Sequence, residues 1–413
     1  MLAKLNLSTN IINYSEPTSA YIHIPFCRRR CYYCDFPVSI MGDRLHGENS
    51  GTISHYVDAL CQEITHTNTS SELLKTIFFG GGTPSLLSVN QLQKIIDTLK
   101  LQFGIVNDAE ISIEIDPGTF SLEQLQGYCV AGVNRVSLGV QAFQSELLKI
   151  CGRSHTIGDI YSAIEIIRTV KVPSFSLDLI SGLPHQTLAQ WQDSLEQVVA
   201  IAPNHISIYD LQIEPGTAFN RYYQAGEQPL PTDDMTAQMY RTAQQVLTSA
   251  GYEHYEISNY AQLQHQCRHN SVYWHNQPYY GFGMGATSYV QGQRFTRPRK
   301  TQEYYQWVKD YIAANGVLNC LQTSSHEVLL ETLMLGLRLS EGISLAILAQ
   351  QFGVETVAKI WQCLQPYYQQ GWVELVGTDQ LRLTDPEGFL FSNTVLARLF
   401  HQLGSELDNT VSL

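Results

Sequence analysis

From about Ala20 to Ile213 the chain repeats one pattern, a short β-type run followed by a helix-type stretch. No other feature narrows the fold as far. The predicted runs are Tyr21–Pro25, Thr76–Phe79, Ile111–Ile115, Arg135–Val140, Ser174–Ile180 and His205–Leu211, all rich in Ile, Val or Phe. After a longer first gap their starts lie 24 to 39 residues apart, the length of a βα unit. Ser88 with Gln91, Ser121 with Gln124, and Thr187 with Gln190 fit capping boxes, which mark helix starts between the runs. Helical crossovers join parallel strands, so the sheet is either doubly wound or curved into a barrel. Unusual residues gather at or just past the run ends: Cys27, Gly80 to Thr83, Glu114, Gln141, the Asp178 region and Tyr209. A single switch point cannot collect residues from every strand, so the expected α/β fold is a partial (β/α)6 barrel.

With 413 residues and 44% hydrophobic content, the chain can bury a large core, as one big domain plus a smaller one. No stretch reaches the roughly 18 consecutive apolar residues of a membrane span, and no basic-then-apolar leader opens the chain. Nine cysteines without an export signal fit a reducing cytosol. The formal charge of −13 opposes nucleic-acid or anionic-membrane binding, which needs a positive field. The expected layout is a tail over 1–15, a barrel core over 16–235, an extension over 236–320 and a mainly helical domain over 321–413. In that last domain, helices flank a predicted hairpin, Trp372–Val376 with Gln380–Leu383, in a winged-helix-like pattern. Its 10 Asp/Glu against 4 Lys/Arg, a formal −6 (4 − 10), favour packing or partner docking over DNA reading.

Cys27-Arg-Arg-Arg-Cys31-Tyr-Tyr-Cys34 places three thiols directly after the first run. Thiolates are soft ligands for iron, and a tight loop can turn three toward one face of a cubane. A simple electron-transfer cluster takes a full set of protein ligands; three leave one iron open to chelate something else. Zinc is the competing occupant, but tetrahedral zinc sites draw cysteine pairs from two separated places. The three are therefore read as ligands of a [4Fe–4S] cluster. Arg28, Arg29 and Arg30 between them either favour thiolate and an acidic electron donor or form a solvated loop. Phe79-Gly-Gly-Gly82-Thr83-Pro84 is either a tight turn or a place where backbone approaches a ligand. Gly281-Phe-Gly-Met-Gly-Ala286 matches part of a dinucleotide fingerprint but follows no apolar run, so it reads as a close-packed turn or a lid. In Cys267-Arg-His269-Asn270-Ser-Val-Tyr273-Trp274, histidine could ligate heme iron and the aromatics could stack on a porphyrin. On chemistry alone, a core histidine beside core aromatics is the better reading of that segment.

Tyr21-Ile-His-Ile-Pro-Phe-Cys27 running into C-x3-C-x2-C resembles the signature of radical S-adenosylmethionine (SAM) proteins, in particular their coproporphyrinogen dehydrogenase-like branch. The resemblance extends from Tyr21 to about Leu396. It implies that the open iron chelates the amine and carboxylate of SAM, and that one-electron reduction cleaves the sulfonium. It implies SAM contacts at Tyr21, Tyr33, Gly82, Thr83 and Pro84, and a ribose-holding carboxylate at Glu114. Gln141, Arg153 and Asp178 match further cofactor positions; a purely structural Asp–Arg pair is the alternative. Asp116 stands where relatives often carry Asn.

Two departures sort the chain within that branch. Phe36 occupies the position of the dehydrogenases' fourth cysteine, and only twenty-six residues precede Cys27 where those enzymes carry a substantial extension. With the segment His269–Trp274 and the stretch Glu331–Arg338, these features resemble the HemW-type heme chaperones. That implies heme contact at His269, Asn270, Tyr273 and Trp274. It also implies apo-hemoprotein acceptors, a low-potential donor such as flavodoxin or ferredoxin, and a cytoplasmic location. No catalytic residue is assigned. The alternatives are oxidative decarboxylation of coproporphyrinogen III, and a radical SAM methyltransferase that uses a second SAM.

Overall fold

The computed structural model describes residues 15–43, 46–318 and 320–404. The expected tail over 1–15, Ser15 apart, and the last residues of the C-terminal domain, 405–413, lie outside the described residues. The chain divides into two compact units, one of Glu16–Val272 with Pro278–Leu321, the other of Tyr273–Gln277 with the segment from Gln322 onward.

In the larger unit the strands are β1 (Ser19–Ile24), β2 (Phe26–Cys27), β3 (Ser39–Ile40), β4 (Leu74–Gly81), β5 (Ile105–Ile115) and β6 (Arg135–Gln141). They continue with β7 (Ser174–Ser181), β8 (His205–Asp210), β9 (Glu253–Glu256), β10 (Asn259–Ala261) and β11 (Tyr280–Phe282). Nine of them form one sheet, in the order β11-β1-β4-β5-β6-β7-β8-β10-β9. The six expected strands lie side by side in chain order, all parallel. The sheet stays open, with β11 and β9 at its edges. In such an order, right-handed crossovers place every connecting helix on the same face.

That one-sided winding explains the alternation within the strands. Ile111, Ile113 and Ile115 of β5, and Val136, Leu138 and Val140 of β6, belong to the apolar core. Successive side chains point to opposite faces, so the intervening Ser112, Glu114, Ser137 and Gly139 face away from it. Register sets Glu114 beside Ser137, Ser137 beside Ser176, and Gly139 beside Asp178. A polar row therefore crosses the helix-free face of the sheet.

Ser88 with Gln91 and Thr187 with Gln190 make reciprocal capping boxes, each cap worth about 1 kcal/mol. The third expected box is only half made. Ser121 accepts from the Gln124 N–H, but the Gln124 amide turns to the carbonyls of Ser85 and Leu87 at 2.9 and 2.8 Å.

β9 and β10 extend the sheet beyond β8 as antiparallel strands, and β11 extends it beyond β1 in parallel. They are three or four residues long and polar or glycine-containing, so no periodicity announces them. This return of the chain is fastened by a buried ion pair. Glu63, on helix Gly51–Thr65, accepts from Arg297 Nε at 2.7 Å, Gly283 N at 2.9 Å and the Tyr304 hydroxyl at 2.7 Å. Both charged side chains are almost wholly buried, at 0% and 1% exposure.

In the smaller unit, Val373–Val376 and Gln380–Leu383 form the expected hairpin, with Ile343–Ser344 as a third strand. Helices Ser325–Gly336, Leu345–Phe352, Val354–Gln369 and Ser392–Gly404 accompany it, with Leu333, Ile360, Leu364, Leu381 and Leu399 buried. No helix among the described residues is long and apolar enough to cross a membrane.

Candidate functional site

The cysteine loop leaves β1 and is closed at its base by β2 and β3, which pair Cys27 with Ile40. Tyr32 N–H bonds the Cys151 carbonyl at 2.9 Å, and Phe219 N–H bonds the Tyr32 carbonyl at 2.9 Å. Segments that follow two other strands thus grip the middle of the cysteine loop. At its start, the end of β4 comes so close that a Cβ on Gly82 would sit 2.7 Å from the Phe26 carbonyl oxygen. Only glycine fits there.

The three cysteines open onto a cavity of about 500 Å³ at the strand C-termini. Tyr33, Gly82, Thr83, Glu114, Gln141, Arg153 and Asp178 line it as well. Tyr21 and Pro84 do not. The Tyr21 hydroxyl is 3.1 Å from His23 Nδ1, and Pro84 opens a buried short turn. Sequence reasoning missed Ser137, Gly139, Asp210, Gln212 and Glu214 on the cavity wall. Their signal was place rather than type: Ser137 and Gly139 lie within β6 on its polar face, and Asp210, Gln212 and Glu214 lie at or past the end of β8. Gln141 lies where the β6–β7 register shifts and has φ 69°, a left-handed backbone that costs a non-glycine residue about 1–3 kcal/mol.

Charge in the cavity is organised by burial. Burial, with Asp178 and Asp116 nearby, raises the Glu114 carboxyl to about 8 against the opposing Gly81 N–H at 2.9 Å. Burial also raises Asp178, while hydroxyls including Ser137, at 2.8 Å, pull it back. Burial pushes the Cys27 thiol to about 12 and raises that of Cys34. Such thiols suit a cationic occupant, which would bind them as thiolates and release their protons.

The residues fit a cluster. Among the described residues, no trio of His, Cys, Asp or Glu is arranged to hold a single metal ion. A cubane instead takes one thiolate per iron. Arg153 Nε is buried in the cavity wall without a hydrogen-bond partner among the described residues. All nine cysteines are free. Arg28, Arg29 and Arg30 line the cavity and have partners of their own: the Gly118 carbonyl at 2.7 Å, Asp43 at 2.9 Å and the Phe36 carbonyl at 2.9 Å. Phe36, 57% exposed, stands on the same wall.

His269 lies elsewhere. It is fully buried, its Nδ1 is 2.8 Å from the Thr76 hydroxyl, its ring stacks on Phe78 at 5.3 Å, and its N–H bonds Glu110 at 2.9 Å. Burial lowers its imidazole to about 3. Asn270 is half-buried in the same unit, whereas Tyr273 and Trp274 belong to the smaller unit. None of the residues Gly281 to Ala286 lines the cavity; Gly285 packs against Pro37 instead. A second groove, about 530 Å³ between helices Ile157–Val170 and Leu188–Ile201, has no thiol and only Glu165 as a carboxyl.

Residues 21–198 match the Radical SAM superfamily, and residues 323–391 match the HemN C-terminal domain. The chain is similar to the heme chaperone HemW of Synechocystis, 48% identical over 95% of this chain and 99% of that one. The Bacillus subtilis heme chaperone HemW is 37% identical over 81% of this chain and 87% of that one. The fold is that of coproporphyrinogen III oxidase (HemN) from Escherichia coli, a radical SAM enzyme, with a TM-score of 0.78 over 94% of this chain and 91% of that one at 24% identity. On the extent of these likenesses, the chain belongs to the HemW family of the radical SAM superfamily.

Proposed function

We propose that this chain is a cytoplasmic heme chaperone that binds heme and passes it to acceptor proteins. The reading is carried by the likeness, over nearly the whole chain, to relatives that bear that name. As a radical SAM protein the chain uses a [4Fe–4S] cluster and SAM, which when bound supply one-electron cleavage of a sulfonium. Cys27, Cys31 and Cys34 would hold the cluster. Gly82, Thr83, Glu114, Gln141, Arg153 and Asp178, with Tyr33, would hold SAM, whereas Tyr21 and Pro84, which do not line the cavity, would not. Glu114, its carboxyl held in place by the Gly81 N–H, would bond the ribose hydroxyls. Phe36 puts a ring, which cannot ligate iron, where a decarboxylating relative offers a thiol.

Heme contact is assigned to the segment His269–Trp274, with His269 as its anchor in the core rather than as an iron ligand. The purified protein should bind heme stoichiometrically under anaerobic titration, pass it to an apo-hemoprotein, and leave coproporphyrinogen III unchanged. His269→Ala should lower stability yet keep the Soret band of the heme-bound protein. Decarboxylation with turnover would replace the chaperone reading with the enzyme one. If neither heme binding nor decarboxylation appears, methyl transfer with a second SAM becomes the reading to test.

The arginines of the cysteine loop would meet the reductant. A flavodoxin-type donor is acidic, and rim charges act mainly on encounter rates. Replacing Arg28, Arg29 and Arg30 together by Gln should slow reduction by such a donor while leaving reduction by dithionite unchanged. Equal rates with the protein donor would make these arginines a merely solvated loop.

A further inference from the structure

Asp116 holds two donors, and each of them also reaches a sulfur of the cysteine loop. Its Oδ1 accepts from the Arg153 guanidinium, whose Nη1 lies 3.4 Å from Cys31 Sγ. Its Oδ2 is 3.2 Å from the Thr83 hydroxyl, which lies 3.7 Å from Cys27 Sγ. Gly139 leaves the room for this bracket, since a Cβ there would sit 2.8 Å from Asp116 Oδ1. The Gly139 carbonyl takes a further Arg153 N–H at 3.0 Å. With the Arg153 side chain 7% exposed and that of Asp116 28%, solvent screens these charges only weakly.

We infer that Asp116 sets the reduction potential of the cluster as a positioning residue, acting through Thr83 and Arg153; this rests on the assignment of the cluster to the cysteine loop. Thr83 has one proton to give. The carboxylate is the nearer and stronger acceptor, so it draws that proton away from Cys27 Sγ. The same carboxylate neutralises the cation beside Cys31. Both effects leave the sulfurs electron-rich, and cluster potentials rise with hydrogen bonds to sulfur and with positive charge nearby. Asp116 thereby keeps the potential low.

The test is an anaerobic, dye-mediated redox titration of reconstituted protein without SAM, with iron and sulfide measured for every variant. Asp116→Asn should shift the midpoint positive. The Asn carbonyl stays on Arg153, its NH2 faces Thr83, and the Thr83 proton turns to Cys27. Thr83→Val should barely move the wild-type potential, yet in the Asp116→Asn background it should pull the potential back toward wild type. Such non-additivity is the mark of a shared network. Arg153→Gln provides an independent arm and should shift the midpoint negative. An unchanged midpoint in Asp116→Asn with full iron and sulfide overturns the inference, as does an additive Thr83 effect or a positive shift in Arg153→Gln. Wild-type protein that assembles no cluster would instead remove the cysteine assignment itself.

Discussion

Cys31→Ala is expected to abolish the brown chromophore and the iron and sulfide that accompany it, and Cys27→Ala and Cys34→Ala should do the same. With only two thiolates a cubane is left with two irons unheld by protein. The Cys31 variant also strands the Arg153 Nη1 that lay 3.4 Å from its sulfur. The other cysteines supply the contrast. Replacing Cys61, Cys129, Cys151, Cys320 or Cys363 by Ala should leave the cluster intact. Cys151 is the sharpest of these controls, because its backbone carbonyl, which the substitution keeps, accepts from Tyr32 of the loop. A full complement of iron and sulfide in Cys31→Ala would sink the ligand assignment.

Glu63→Ala should cost about 3–5 kcal/mol, the usual penalty for stripping one partner from a buried ion pair. The loss leaves the Arg297 charge, the Gly283 N–H and the Tyr304 hydroxyl in the interior without their acceptor. Glu63→Gln restores an acceptor but not the charge, so its cost should fall between those of Ala and wild type. Exposed pairs behave differently. Lys94 and Asp58, whose side chains are 53% and 57% exposed, should contribute no more than about 1 kcal/mol. Urea unfolding of cluster-free variants separates the two cases. A Glu63→Ala variant within about 1 kcal/mol of wild type would mean that water reaches the Arg297 guanidinium.

The parallel core was legible because each of its strands is an Ile-, Val- or Phe-rich run followed by a helix start, as in Ile111–Ile115 before Ser121. The edges were not. β10 is Asn-Tyr-Ala, and it joins the sheet through pairing with Ser207 and Ile206, which no local pattern encodes. Within the site, the cysteine loop, Glu114, Arg153 and Asp178 could be named from their motifs, and the structure brings them to one cavity. Gly139 and Asp210 could not, because glycine and aspartate are common residues whose meaning comes from what lies across the strands. His269 is the converse case. Its segment is distinctive in sequence, yet the ring is taken up by Thr76 and Phe78 on β4.

The grip of Cys151 and Phe219 on the cysteine loop bears on how the protein would meet fluctuating iron supply. Those tethers are backbone hydrogen bonds to neighbouring segments and involve no sulfur. The loop is therefore expected to keep its form before metal arrives, unlike the small zinc domains that fold only around their ion. Scarcity would lower the loaded fraction while leaving a finished mould, ready to be filled without refolding and offering proteases no slackened segment there in the meantime.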